Sequence, residues 1–204
     1  MQILNVEQNT EAWAFERKGR ITGSKLGAIV TYRGNKRKIG VYQLVADRLG
    51  LTEEAEDESE RGHRLEQEAV NMFEAQTGKS VARVGLCISD KNNNIALSPD
   101  GLIGKNGIYK EAVEIKCLGS ARHLQAWFEK EIPSDYEEQV IQYFIVNEQL
   151  NRLYFCFYDP RIAAKPFFYI IVEREQVADK IRELEEYQVK VLNDVDEMVS
   201  SLVF

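Results

Sequence analysis

The chain has 204 residues and a formal net charge of −7, with 44% hydrophobic and 29% charged residues. This composition predicts one globular domain over residues 1–204, since single domains commonly contain about 100–200 residues. The acidic balance disfavours a simple nucleic-acid coat protein, which is usually basic. It leaves a nucleic-acid enzyme open, because carboxylates that hold a cation also count as negative charge.

Membrane, secreted and cysteine-cluster proteins are also disfavoured. No apolar run approaches the about 20 residues that a membrane-spanning helix needs, and the first residues lack the basic and apolar regions of a secretory signal. Cys87, Cys117 and Cys156 are widely spaced and form no C-x-x-C pair. They predict buried cytosolic thiols and disfavour a cysteine-bound zinc or iron–sulfur site.

The N-terminal part of the chain has helical periodicity. Helices are predicted over residues 9–18, from Ser24 onward, over 40–50 and over 60–77. The last is the clearest, because Leu65, Ala69 and Phe73 share one helical face and Gly78 follows as a stop signal.

The periodicity then changes to the alternation that is typical of strands. Strands are predicted over residues 81–89, 95–97, 101–103, 109–117, 152–158 and 166–174. Asn106-Gly107 predicts a hairpin turn between the third and fourth of these.

Helices also separate and follow the later strands. They are predicted over residues 120–130, over 133–147 behind a Ser134-x-x-Glu137 capping box, and over 174–202 as a long amphipathic helix. The predicted fold class is therefore α/β, a mixed central β-sheet with helices on both sides.

A charged cluster occurs in the predicted hairpin. Alternate side chains of a strand share a face, so Glu114 and Lys116 point away from Val113 and Ile115. The hairpin turn would bring Asp100 beside Glu114. Two adjacent carboxylates repel each other unless a cation neutralises them, and oxygen ligands of this kind are typical of a Mg²⁺ site.

This cluster predicts hydrolysis of a phosphodiester. Lys116 would lie where its ammonium can orient or activate an attacking water beside the metal. Pro99 fixes the approach to Asp100, and Gly101 permits a tight turn after it. The alternative is an ordinary surface strand, since exposed strands often alternate Glu and Lys.

Several segments, taken in order, resemble the phage lambda exonuclease family of YqaJ-type viral recombinases, within the PD-(D/E)xK nuclease superfamily. They cover residues 13 to about 175 and read "RKGRITGSKLGAI", "RGHRLEQEAVNMFEAQTG", "LSPDG", "EIKC", "IPSDYEEQV" and "YFCFYDPR". The resemblance implies a restriction-endonuclease-like core.

The resemblance also implies the roles of individual residues. Asp100 and Glu114 match the metal-binding carboxylates, Lys116 matches the catalytic lysine, and Glu66 matches the helical glutamate that completes the metal site. The backbone carbonyl of Ile115 would be a further ligand.

One glutamine of the family pattern cannot be assigned unambiguously. The usual spacing is Gln-x-Gln, whereas this chain has Gln139 and Gln142. Alignment on Tyr136 favours Gln139 as the active-site glutamine, and Gln142 remains the alternative, since residues three apart share a helix face.

The family implies a pocket for a terminal 5′-phosphate at Arg17, Ser24, Ser98 and Arg122. Ser24 opens a predicted helix, where free backbone N–H groups favour an anion. For the two arginines, the alternative is a surface ion pair.

The run "YRGNKRK" is the most basic in the chain, and in the family this region lies near the duplex. The resemblance therefore implies DNA contacts through Arg33 and Lys36, with a solvated loop as the alternative. His63 and His123 lack metal-ligand spacing and are interpreted as structural or surface residues.

The resemblance implies a Mg²⁺-dependent 5′→3′ exonuclease on double-stranded DNA ends, with Mn²⁺ as a substitute metal. It would release mononucleotides and leave 3′ overhangs. The family implies a ring-shaped homotrimer, a single-strand annealing protein as partner, and a phage or prophage protein acting in the bacterial cytoplasm. The alternatives are an endonuclease or resolvase on the same core, and a DNA-end-binding protein with a degenerate site.

Overall fold

The computed structural model describes residues 1–30, Leu44, 60–118 and 120–202. Apart from Leu44, the helix predicted over residues 40–50 lies outside the described residues, and so do Arg33 and Lys36. The side chain of His63 lies outside them as well.

The described helices follow the predicted order. They are α1 (Glu11–Arg17), α2 (Gly23–Ile29), α3 (Glu60–Thr77), α4 (Ser120–Glu129), α5 (Glu137–Val146) and α6 (Ala178–Leu202), with 3-10 turns at Ser134–Tyr136 and Arg174–Val177. The strands are β1 (Gln2–Leu4), β2 (Leu86–Ile88), β3 (Ala96–Leu97), β4 (Gly101–Lys105), β5 (Ile108–Lys116), β6 (Arg152–Tyr158) and β7 (Phe167–Glu173).

The described strands form two sheets. The four-stranded sheet has the order β4-β5-β6-β7, in which β5 and β6 run parallel and the other neighbours antiparallel. The three-stranded sheet, β1-β2-β3, is antiparallel. The predicted mixed sheet is therefore confirmed, but β1 was not predicted.

Helices cover both faces of the four-stranded sheet, as the sequence predicted. On one face, Phe73 and its neighbours on α3 pack against Val113 and Ile115 of β5. On the other face, Phe155 and Phe157 of β6 pack in one cluster with buried residues of α5 and α6. The strands are therefore buried on two sides, which agrees with the almost continuous apolar run of β6.

Two local predictions were wrong. Residues 81–85 form no strand apart from an isolated bridge between Ala82 and Leu102. The Ser134-x-x-Glu137 capping box is absent, because the N–H groups of the 3-10 turn bond backbone carbonyls and the Glu137 carboxylate pairs with Lys180. Within the described residues, no helix combines the length and apolar character needed to cross a membrane.

Candidate active site

The hairpin of β4 and β5 brings Asp100 beside Glu114. Gly101 pairs with Val113 in the antiparallel register, so Asp100, one residue earlier, comes opposite Glu114. Oδ2 of Asp100 accepts a hydrogen bond of 2.6 Å from the backbone N–H of Ile115. The predicted approach of the two carboxylates is confirmed.

Gly101 is needed for close packing rather than for a tight turn. A Cβ at this position would lie 2.1 Å from Cγ1 of Val81, and Gly101 is not among the described glycines with positive φ. The missing side chain lets residues 81–82 lie beside β4, where Ala82 exchanges two backbone hydrogen bonds with Leu102 at 2.8 and 3.0 Å.

Glu114 is at the centre of a polar cluster beneath α5. Its side chain is only 2% exposed, and Nζ of Lys116 lies 2.6 Å from its Oε1. Nε2 of Gln139 donates to the same oxygen at 2.5 Å. Glu114 and Lys116 therefore share one face of β5, as the alternation predicted, but this face is covered by a helix rather than open to solvent.

Tyr143 belongs to this cluster and was missed by the sequence analysis. Its buried hydroxyl donates to Oε2 of Glu114 at 2.5 Å and accepts from the Asp100 N–H at 3.3 Å. Gln139 and Tyr143 are four residues apart on α5, so they share a helix face. That spacing was the signal that could have revealed Tyr143.

The two candidate glutamines have different surroundings. Gln139 contacts Glu114, whereas Gln142 is fully buried and donates to the backbone carbonyls of Ile21 and Ala96 at 3.2 and 3.1 Å. The structure therefore brings Gln139 to the cluster and gives Gln142 a role in joining α5 to the neighbouring segments.

Glu66 extends the cluster from α3. Its carboxylate forms an ion pair with Arg83. Burial raises the pKa of Asp100 well above its ordinary value, and the charges of Glu114 and Glu66 raise that pKa further. Glu114 and Glu66 are therefore close enough to Asp100 to act on its carboxylate electrostatically.

Lys116 and Tyr143 have pKa values shifted by the same charges. Burial alone would lower the pKa of Lys116, but Glu114 and Asp100 raise it above its usual value in sum. Burial raises the pKa of Tyr143 well above its usual range, and the same two carboxylates add to the effect. Lys116 is therefore an ammonium, and Tyr143 a neutral phenol, at neutral pH.

The carboxylates fit a hard divalent cation by chemistry. Oxygen donors from Asp100, Glu114 and Glu66 are of the type that Mg²⁺ prefers, and the charges of Glu114 and Glu66 add to the effect of burial in raising the pKa of Asp100. However, no three His, Cys, Asp or Glu side chains of the described part form an assembled metal-binding group. The ligand roles of these residues and of the Ile115 carbonyl remain predictions.

Three of the four residues predicted to bind a phosphate are connected. Arg17 donates to Oγ of Ser24 at 2.9 Å and lies 4.0 Å from the ring centroid of Trp13. Nε1 of Trp13 in turn donates to Oγ of Ser98 at 3.0 Å. Trp13, which the sequence analysis did not assign, thus links Arg17 to Ser98.

Arg122 has a different partner. Its guanidinium donates to both carboxylate oxygens of Asp135 at 2.7 and 2.9 Å and lies 5.5 Å from the ring centroid of Tyr136. Lys116 lies 4.8 Å from the centroid of the same ring. Arg122 therefore forms the surface ion pair that was its alternative interpretation, near the cluster.

Ser24 and His123 are two further positions for which the sequence analysis made a prediction. Ser24 is the second residue of the seven-residue helix α2, after the N-cap Thr22. His123 is buried, with Nε2 3.0 Å from the carbonyl oxygen of Lys165, which confirms a structural residue.

Comparisons with known proteins find similar overall structures. An alkaline exonuclease from Laribacter hongkongensis has a similar structure, with a TM-score of 0.83, 26% identity, and coverage of 95% of this chain and 96% of that chain. Its complex with dAMP gives a TM-score of 0.78 at 24% identity, covering 95% and 98%. No functionally curated protein matches the sequence.

A more distant structure shares the fold. It is a phage-related exonuclease from Haemophilus somnus 129PT, with a TM-score of 0.66, 16% identity, and coverage of 90% of this chain and 96% of that chain. At the sequence level, residues 12–149 match the YqaJ-like viral recombinase domain. This match includes every residue of the polar cluster, and the chain therefore belongs to the YqaJ-like viral recombinase family.

Proposed function

We propose that the protein is a Mg²⁺-dependent 5′→3′ exonuclease that digests double-stranded DNA from its ends. It releases mononucleotides and leaves 3′ overhangs for recombination. The observation that carries the proposal is the contact of Glu114 with Lys116, Gln139 and Tyr143, beside Asp100. Similarity to an alkaline exonuclease at 26% identity over 95% of the chain supports the same reaction class.

Glu66, Asp100, Glu114 and the Ile115 carbonyl would hold Mg²⁺ or Mn²⁺. The chemistry such a cation supplies when bound is Lewis-acid activation of the phosphodiester and of its attacking water. The structural support is the donor set of hard oxygens and the raised pKa of Asp100, which a cation would lower again.

Lys116 acts in this proposal as a cation rather than as a base. Glu114 and Asp100 outweigh burial and raise its pKa, which favours the ammonium form at neutral pH. Its ammonium can instead donate hydrogen bonds to the attacking water or to a phosphate oxygen, and it can stabilise the charge that develops there. Gln139 and Tyr143 hold the Glu114 carboxylate in place for this reaction.

Recognition of the DNA end is assigned to Arg17, Ser24 and Ser98, with Trp13 between them. The connected hydrogen bonds and the cation–π contact of this group would present a cation and hydroxyls to a terminal 5′-phosphate. Arg122 would join them by exchanging Asp135 for the phosphate, since an exposed ion pair costs little to break.

Longer-range DNA contacts and assembly complete the proposal. Arg33 and Lys36 would contact the duplex, and a homotrimer would enclose it. A basic channel inside an acidic exterior would reconcile the net charge of −7 with a DNA substrate. A single-strand annealing protein would receive the 3′ overhang in the cytoplasm of a bacterial host.

A single assay tests the reaction. Linear duplex DNA, labelled at either the 5′ or the 3′ end, is incubated with the protein in Mg²⁺ or in EDTA, beside a closed circular duplex. We expect loss of the 5′-terminated strand in Mg²⁺ only, with the circle intact. Nicking of the circle would favour an endonuclease or resolvase, and end binding without digestion would favour a degenerate DNA-binding protein.

A further inference from the structure

Arg83 forms an ion pair with Glu66, the carboxylate on α3 that is predicted to bind the metal. One guanidinium nitrogen pairs with Oε1 of Glu66 and the other donates to Oε1 of Gln67 at 3.0 Å. No sequence motif marks Arg83 as a functional residue. The contact is notable because the partner is the predicted helical metal ligand rather than an ordinary surface acid.

The position of Arg83 is fixed by the backbone beside it. Ala82 pairs with Leu102 on β4, and the lack of a side chain at Gly101 permits this approach. Arg83 therefore enters the cluster from the segment that runs along the strand after Asp100. Its guanidinium is held by the contacts with Glu66 and Gln67.

The same guanidinium can leave at low cost. The Arg83 side chain is 43% exposed and that of Glu66 is 21% exposed, so the freed arginine would regain water directly. Ion pairs of this exposure contribute little stability. A divalent cation, which binds carboxylate oxygens more strongly than a guanidinium does, can therefore displace it.

We propose that Arg83 is a positioning residue that competes with the metal for Glu66. It neutralises Glu66 in the metal-free protein and releases that carboxylate when a cation binds, so it sets the metal affinity of the site. The inference rests on the proposed function, because it takes Glu66 as a metal ligand.

Binding of Mn²⁺ alone, measured on the full chain by calorimetry or by the electron paramagnetic resonance of free Mn²⁺, tests the inference without DNA or turnover. We expect Arg83→Gln to bind Mn²⁺ about three- to fivefold more tightly, the amount expected for loss of one exposed ion pair. Arg83→Lys, which keeps the charge, should stay close to the parent protein. Arg152→Gln, which breaks ion pairs with Glu111 and Glu173, is the control and should change nothing.

A double-mutant cycle separates exchange at Glu66 from a general effect of charge. In a Glu66→Gln background, Arg83→Gln should no longer tighten Mn²⁺ binding. A gain that persists there, or an Arg83→Gln protein that binds Mn²⁺ equally or less tightly, overturns the inference while leaving the nuclease proposal intact. Failure of the parent protein to bind Mn²⁺, or binding unaffected by Asp100→Asn, overturns both.

Discussion

The hydroxyl of Tyr143 donates to Oε2 of Glu114 at 2.5 Å, although the two residues are 29 positions apart in the chain. The same hydroxyl accepts from the backbone N–H of Asp100 at 3.3 Å. One buried phenol thus joins the two carboxylate-bearing strands of the hairpin to α5. It fixes where Glu114 can present its oxygens.

Removal of this hydroxyl should lower the activity of the site, while the aromatic ring that remains keeps the core packed. We expect Tyr143→Phe to lower digestion of linear duplex about 10- to 100-fold, as is typical when a partner that orients a metal ligand is lost. Tyr187→Phe is the control, because it removes a partly buried hydroxyl that donates to the Ile29 carbonyl at 2.8 Å. Equal activity of the two variants would remove Tyr143 from the mechanism.

Asp100→Asn should stabilise the metal-free protein at alkaline pH. The pKa of Asp100 is raised in the folded state, so the stability associated with this group is greatest at low pH and is lost as the pH rises through the folded pKa. In EDTA at pH 8 the variant should therefore unfold at a higher temperature than the parent. A gain of 1 kcal/mol corresponds to about 2–4 °C in a domain of this size, and the gain should shrink on acidification.

Asp135→Asn provides a control of opposite sign for this measurement. Its pKa is lowered, chiefly by the hydrogen bond from Arg122, so its contribution is present at neutral pH and is lost on acidification through the folded pKa. The variant should be slightly less stable than the parent at pH 8. An Asp100→Asn protein that is also less stable at pH 8 would contradict the electrostatic account of the site.

Lys116→Ala should abolish hydrolysis while DNA-end binding remains measurable. Loss of a charged donor at the reacting phosphate commonly costs at least about 100-fold in rate. Lys110→Ala, an exposed lysine on the same strand, is the matched control. Digestion of end-labelled duplex and gel-shift binding in Ca²⁺ are the two measurements, and full activity of Lys116→Ala would exclude its catalytic role.

Substitution of the two glutamines of α5 should have different effects, one on activity and the other on stability. We expect Gln139→Ala to lower the rate of digestion with little change in the free energy of unfolding. Gln142→Ala should instead lose about 1–3 kcal/mol of stability, because two backbone carbonyls lose a buried donor. Urea unfolding and a rate per folded molecule distinguish them, and the reverse pattern would identify Gln142 as the active-site residue.

Arg17→Ala should reduce the preference for 5′-phosphorylated over 5′-hydroxyl ends by about tenfold, since a charge-assisted hydrogen bond would be lost. Arg122→Ala should reduce it less, because Arg122 starts in an ion pair with Asp135. Arg20→Ala, which removes a pair with Glu16, is the control. An unchanged ratio for Arg17 and Arg122 together would discard the phosphate pocket.

Local sequence signals predicted much of the fold. The helix Glu60–Thr77 has the predicted bounds and Gly78 follows it with a φ of 67°. Asn106 and Gly107 both have positive φ in the predicted hairpin turn. These features depend on side-chain periodicity and on the conformational preferences of single residues, both of which are readable from a short window.

The missed features depend on tertiary contacts. Tyr143 lies in the apolar run "QVIQYFIVN", a pattern that is typical of core residues. Only the folded structure shows that its hydroxyl donates to Glu114. Arg83 lies in a segment that looked like a strand, and its partner Glu66 is 17 residues away on α3. No periodicity marks such pairs, because their positions follow from how the helices dock on the sheet.

The parallel pairing of β5 with β6 has a consequence for synthesis of the protein. The hairpin with Asp100, Glu114 and Lys116 can form early from local contacts, whereas β6 pairs only after the intervening α4 and α5 have crossed over the sheet. Such distant pairings form late in folding. An unfinished chain on the ribosome would thus carry Asp100, Glu114 and Lys116 before Gln139 and Tyr143 can contact Glu114, and the polar cluster would be complete only after α5 has docked.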